Sequence, residues 1–227
     1  MRYDKNELTI LVPTKNEGEG IEKVIKSLKP YSEEIIVVDG HSNDGTAEIA
    51  KKHACQFFLD HGLGKGDGVR LGLSKARREV VLIYDGDGSS DIKDIPHLVE
   101  PIFSDKADLV IGSRRTGGTF DTNPVLTGIV RTAGADLLAA LLNHRFGTKF
   151  TDILYSFRAI RRSIVAKLDL RANDFTIEQE MIIKSLKKNF RVLEIPSREK
   201  ARQWGTSKLK TVSGINMLFH LLKECYF

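Results

Sequence analysis

The sequence predicts an α/β fold, a mostly parallel central sheet flanked by helices within a single domain. Three observations lead there. Short runs rich in Ile and Val recur through the first half, helical patterns with one apolar face lie between them, and polar residues collect where the runs end. At 227 residues the chain is long enough to bury one core without a disulfide framework or a structural metal.

In order, the apolar runs are Leu8 to Thr14, Glu34 to Asp39, Cys55 to Leu59, Val80 to Tyr84 and Asp108 to Ile111, each read as a buried strand. Gly20 to Leu28 sets Ile21, Val24, Ile25 and Leu28 on one helical face, and Thr46 to His53 and Gly66 to Arg77 read as further helices. After Arg115 the rhythm changes to a polar Gly-rich loop, a long helix from Val125 to Asn143 and an irregular stretch from Thr151 to Leu170. A helix at Ile177 to Lys188, a strand at Arg191 to Ile195, a basic loop at Ser197 to Thr206 and a terminal helix from about Lys208 complete the chain. Residues 116–207 are therefore expected to elaborate a sheet built by residues 1–115, with an amphipathic terminal helix at 208–227.

Composition narrows the setting. Cys55 and Cys225 lie far apart and match no metal-ligand spacing, which suits a reducing compartment. The charged start Met1-Arg2-Tyr3-Asp4-Lys5 lacks an apolar export region, and no apolar run approaches the roughly 20 residues that span a bilayer. A cytoplasmic protein is expected, with no nucleic-acid partner. The net charge of +5 suits ordinary solubility or attraction to phosphate-bearing substrates and anionic lipid.

Ligands of a parallel α/β sheet bind beyond the carboxyl ends of its strands. There the sequence places Pro13-Thr14-Lys15-Asn16-Glu17, Asp39-Gly40-His41-Ser42-Asn43-Asp44-Gly45 and Asp85-Gly86-Asp87-Gly88-Ser89-Ser90-Asp91. Asp85 and Asp87 offer hard oxygens suited to Mg²⁺ or Mn²⁺ on a diphosphate, or they cap the turn that follows. Asp39 suits a base imide or a ribose hydroxyl, whereas Asp44 reads first as a helix cap. Lys65, in Gly64-Lys65-Gly66, is either a phosphate ligand or a solvated charge, and the loop lacks nucleotide-hydrolase spacing.

The ordered series Pro13-x-x-Asn16-Glu17, Val37-Val38-Asp39-x-x-Ser42-x-Asp44-Gly45-Thr46, Gly64-Lys65-Gly66, Asp85-x-Asp87 and Gly112-Ser113-Arg114 resembles family 2 glycosyltransferases of the GT-A fold. Thr151-Asp152 with Phe157-Arg158, Phe175-x-Ile177-Glu178-x-Glu180-Met181 and Arg202-x-x-Gly205-x-Ser207-Lys208-Leu209 are similar to the acceptor half of the dolichol-phosphate mannose and glucose synthase group. The resemblance implies an inverting, metal-dependent hexosyltransferase that moves mannose or glucose from a GDP- or UDP-sugar to a polyprenyl phosphate. It implies that residues 1–115 hold the nucleotide sugar through Pro13, Thr14, Glu17, Asp39, Lys65 and Asp85. Asp85, Asp87 and either Ser89 or Asp91 would hold Mg²⁺ or Mn²⁺, with Asp87, Arg114, Arg131 and Arg202 catalytic. Residues 116–207 would form the acceptor side, and Arg114, Arg131, Thr132, Arg202 and Lys208 would bind the acceptor phosphate. The sequence departs from the group at Asp39-Gly40, at Gly88-Ser89 and at Tyr155-Ser156-Phe157.

A monophosphate acceptor already carries a negative oxygen and needs little help from a general base, unlike an alcohol. A soluble alcohol acceptor and a non-catalytic nucleotide-sugar-binding module are the competing expectations. Leu209, Val212, Ile215, Leu218, Phe219 and Leu222 share one face of the terminal helix. That face suits the cytoplasmic surface of a membrane, the core, or a partner such as a second copy or a membrane subunit.

Overall fold

A computed structural model describes residues 3–53, 56–118, 126–202, 204 and 213–226. The described strands are β1 (Leu8–Thr14), β2 (Glu34–Asp39), β3 (Gln56–Leu59), β4 (Val80–Ile83), β5 (Leu109–Ser113), β6 (Arg158–Arg161) and β7 (Val192–Pro196). They form one seven-stranded sheet in the order β3-β2-β1-β4-β6-β5-β7. β6 runs antiparallel to both β4 and β5, and the other pairings are parallel.

The helices are α1 (Ile21–Leu28), α2 (Thr46–Lys52), α3 (Lys65–Lys75), α4 (Ile95–Phe103), α5 (Arg114–Gly117), α6 (Leu126–Phe146), α7 (Arg162–Leu168), α8 (Ile177–Lys187) and α9 (Ser213–Tyr226). Side chains alternate across the strands, so each face of the sheet buries its own core. Ile10, Val12, Val37 and Leu82 pack with Ile21, Val24, Ile25 and Leu28 of α1 and with Leu98 and Ile102 of α4. Leu11, Ile36, Val38 and Ile83 pack on the opposite face with α3, α6, α8 and α9. Each fully buried aliphatic side chain of this kind contributes about 1.5–3 kcal/mol.

Two expectations need correction. The stretch from Thr151 to Leu170 is not irregular, because it contains β6 and α7. The second half also does more than decorate the sheet: β6 sits between β4 and β5, and β7 completes the edge beside β5. The terminal helix is described from Ser213, and Leu209 and Val212 lie outside the described residues. Its Met217, Leu221 and Cys225 are buried against the core, while Ile215 and Phe219 are 63% and 68% exposed. No helix among the described residues is long and apolar enough to cross a membrane.

Candidate active site

The parallel register brings the carboxyl ends of β1, β2 and β4 side by side, and the loops there interlock. Asn16 N–H donates to Ser42 Oγ at 2.7 Å, Asn43 N–H to Asn16 Oδ1 at 3.0 Å, and Gly18 N–H to Asp44 Oδ2 at 2.8 Å. Asp44 also accepts from Thr46 N–H at 3.2 Å, the first amide of α2, from one residue before the N-cap Gly45. Asp39 ends β2 fully buried. Its Oδ1 accepts from Ser42 N–H at 2.7 Å, and its Oδ2 has no hydrogen-bond donor among the described residues. Thr14 Oγ1, one strand over, is likewise buried and without a partner there. Orphaned buried oxygens cost stability unless something else satisfies them, so both mark a place for a ligand's polar groups. Pro13 lies inside β1 opposite Val38.

Beyond β4, Gly86 packs where a Cβ would come within 3.2 Å of Thr14 Oγ1 and 3.6 Å of the Glu17 side chain. Asp85 and Asp87 flank this contact, each facing a different cation. The Lys65 ammonium lies 3.0 Å from Asp85 Oδ1 and 3.0 Å from Glu178 Oε1, and Ser156 Oγ donates to Asp85 at 2.5 Å. Burial opposes ionisation of Asp85, but Lys65 and Ser156 outweigh it and hold the carboxyl below its usual range. Burial likewise disfavours the Lys65 ammonium, and Asp85 with Glu178 overcomes that and raises it. Asp87 Oδ1 accepts from Ser89 N–H and Oγ at 3.0 and 2.8 Å, and its Oδ2 lies 2.7 Å from Arg202 Nη2. Arg202 Nη1 lies 3.4 Å from Glu17 Oε1.

Of the two expected third oxygens, Ser89 is the one at Asp87. Asp91 instead accepts from Lys93 N–H at 3.2 Å, starting the 3-10 turn Ile92–Asp94, and pairs with Lys200 at 3.2 Å. The donor set at Asp85, Asp87 and Ser89 contains only carboxylate and hydroxyl oxygen, which fits a hard divalent cation. Glu180, His220 and Glu224 form another cluster of potential ligands, but Lys184 and the amides of Arg171 and Ala172 already engage Glu180.

The cationic residues fall into two groups. Arg114 starts α5 with its guanidinium fixed, Nε at 2.7 Å and Nη2 at 3.0 Å from Asp152 and its centre 4.8 Å from the Tyr155 ring centroid. Burial alone would lower its pKa, but Asp152 and then Glu199 raise it. Arg131 and Thr132 lie exposed on α6, tied to α5 where Arg115 donates to the Thr132 carbonyl at 3.4 Å. Lys208 lies outside the described residues.

The structure adds residues that sequence reasoning left aside. Ser156 hydrogen-bonds Asp85, and Tyr155 Oη donates to Ser90 Oγ at 2.9 Å, so the departure at Tyr155-Ser156 braces the acidic loop. Trp204 lies against Gly20 and Gly88, where a Cβ would come within 1.8 and 2.7 Å of its indole. The paired glycines are the only trace of that seat in the sequence, and nothing local links them to Trp204.

The glycosyl transferase family 2 model matches residues 9–169, well over half of the chain. The chain belongs to that family, and it is a glycosyltransferase of the GT-A fold. It is 31% identical to the undecaprenyl-phosphate mannosyltransferase of Micrococcus luteus, over 88% of this chain and 86% of the relative. An uncharacterised Methanocaldococcus jannaschii protein is 28% identical over 99% of this chain and 94% of its own length. The crystal structure of glucosyl-3-phosphoglycerate synthase from Mycobacterium tuberculosis, in complex with Mn²⁺, UDP and glucosyl-3-phosphoglycerate, superposes with a TM-score of 0.75 at 20% identity. That match covers 97% of this chain and 80% of the other and supports the GT-A fold.

Proposed function

We propose that this glycosyltransferase transfers mannose or glucose from a GDP- or UDP-sugar to a polyprenyl phosphate, with inversion at the anomeric carbon. One observation carries the choice of acceptor: the carboxylates suited to act as a base are otherwise engaged, while arginines flank the site. Glu178 is held by Lys65, and Glu180 is buried on two main-chain amides and Lys184. An acceptor that is already anionic needs no base. Its phosphate oxygen bonds to the anomeric carbon as the bond to the nucleoside diphosphate breaks.

In this reading residues 1–115 hold the donor. Asp39 Oδ2 and Thr14 Oγ1 take polar groups of the nucleoside, with Pro13 and Glu17 alongside, and Lys65 keeps Asp85 ionised and in place. Asp85, Asp87 and Ser89 would hold Mg²⁺ or Mn²⁺, whose charge would offset that of the departing diphosphate. Arg131, Thr132, Arg202 and Lys208 align the acceptor phosphate, and Arg114 positions the wall beside them through Asp152. Exposed Ile215 and Phe219 on α9 give the enzyme an apolar contact for the membrane that carries its acceptor. The relative named an undecaprenyl-phosphate mannosyltransferase supports this acceptor class.

The test is to incubate the protein with Mg²⁺, polyprenyl phosphate and a panel of labelled sugar nucleotides. Label is expected in the lipid from one donor. Glu178→Gln and Glu180→Gln should retain turnover within about tenfold, short of the loss of roughly 10²–10⁴ expected for a true base. Arg131→Ala and Arg202→Ala should fail at the lipid step. Label in a soluble alcohol, abolished by Glu178→Gln with donor binding intact, would overturn the acceptor assignment.

A further inference from the structure

Asp87 is built asymmetrically. One oxygen is fixed by Ser89, both main chain and hydroxyl, and the other is taken by Arg202. The aspartate side chain is 10% exposed and the arginine 30% exposed, so the carboxylate belongs to the wall and the guanidinium is the exchangeable half. At Asp85 the partner Lys65 is more enclosed, 16% exposed, and lies 3.0 Å from both Asp85 and Glu178, whereas the second partner of Arg202, Glu17, lies at 3.4 Å. A cation arriving at Asp87 therefore meets a positive charge already in place.

We infer that Arg202 is the resident counter-cation of Asp87, and that a divalent ion and the Arg202 guanidinium occupy Asp87 Oδ2 in turn. The inference rests on the metal role proposed for Asp87. Removing a charge 2.7 Å from the carboxylate relieves competition for it, so loss of Arg202 strengthens cation binding. Loss of a merely structural arginine would leave cation binding unchanged, and loss of one that helped bind the ion would weaken it. The exchange also releases Arg202 at the moment the donor site fills, leaving a planar fork for the second anionic substrate.

Trp204 provides an independent readout. It is the protein's single tryptophan, two residues beyond Arg202, and it lies against Gly20 and Gly88 with its indole N–H lacking an acceptor among the described residues. Exchange at Asp87 should shift its emission.

The experiment titrates MnCl₂ alone into wild type, Arg202→Gln, Arg202→Lys and Asp87→Asn, with free Mn²⁺ counted by electron paramagnetic resonance and folding checked by circular dichroism. A parallel Mg²⁺ titration follows tryptophan emission. Arg202→Gln is expected to bind Mn²⁺ about three- to tenfold tighter than wild type, Arg202→Lys to stay near wild type, and Asp87→Asn to bind none. Mg²⁺ should shift the emission of wild type but not of Asp87→Asn. If Asp87→Asn loses Mn²⁺ while Arg202→Gln binds equally or more weakly, the exchange is overturned and the metal assignment stands. Unchanged wild-type emission at saturating Mg²⁺ also overturns it. Mn²⁺ binding that survives Asp87→Asn overturns both.

Discussion

Arg158 is fully buried on β6 and spends its hydrogen bonds on main chain. Nη1 donates to the Glu178 carbonyl at 2.6 Å and Nη2 to the Tyr155 carbonyl. Burial pushes its pKa down to about 10. The guanidinium thus ties the start of α8, which carries Glu178, to the loop that carries Ser156, and through them steadies Lys65 and Asp85. Arg158→Ala should lose about 3–5 kcal/mol of stability, since it leaves a cavity and removes the donors that reach the Glu178 and Tyr155 carbonyls. A urea-denaturation midpoint equivalent to less than about 1 kcal/mol of loss would show that the tie is not needed. Asp39, Asp85 and Asp87 were legible because each follows an apolar run that predicts a strand end. Arg158 was not, because its burial depends on β6 lying between strands distant in sequence, and alone it reads as a surface charge.

β1, β2, β4 and β5 read clearly because both faces are covered, every residue in them is buried, and each has an apolar run at its centre. β6, with arginine at both ends of Arg158-Ala159-Ile160-Arg161, carries no such signal. Helix α3 shows how an element holds the site. At Gly66 a Cβ would lie 2.4 Å from the Ala172 carbonyl oxygen, and Asp67 N–H donates to the Asn173 carbonyl at 3.2 Å. The helix start that bears Lys65 is therefore seated on rigid main chain. Gly66→Ala must lift it, costing about 1–3 kcal/mol by overpacking and drawing Lys65 away from Asp85 and Glu178. Weaker nucleotide-sugar binding in titration calorimetry, together with lower thermal stability, is expected. Unchanged donor affinity would detach Lys65 from the donor site.

Across the whole molecule the ionisable groups define a window of stability. Asp108 is held down to about 2, chiefly by hydrogen bonding to Arg191 against the cost of burial, and Asp44, Asp67, Asp85 and Asp91 are also depressed. A depressed carboxyl contributes stability above its unfolded pKa of about 4 and loses it as pH falls toward the folded value. His220, lowered from 6.5 by burial between α8 and α9, has the same sign at a higher pH, because the unfolded chain takes up a proton that the folded chain resists. Tyr3 is raised to about 12 by burial, and Tyr84 and Tyr155 are raised for the same reason. A raised group contributes stability below its unfolded pKa of about 10 and loses it as pH climbs toward the folded value. The urea midpoint should therefore be level between about pH 7 and 9, decline gently below about 6.5, fall steeply below about 4 and fall again above about 10. His220→Gln should remove the gentle decline and leave the steep one, since only the first belongs to the imidazole. A midpoint that rises as pH drops from 7 to 5 would contradict the lowered pKa of the half-buried His220 at the junction of α8 and α9.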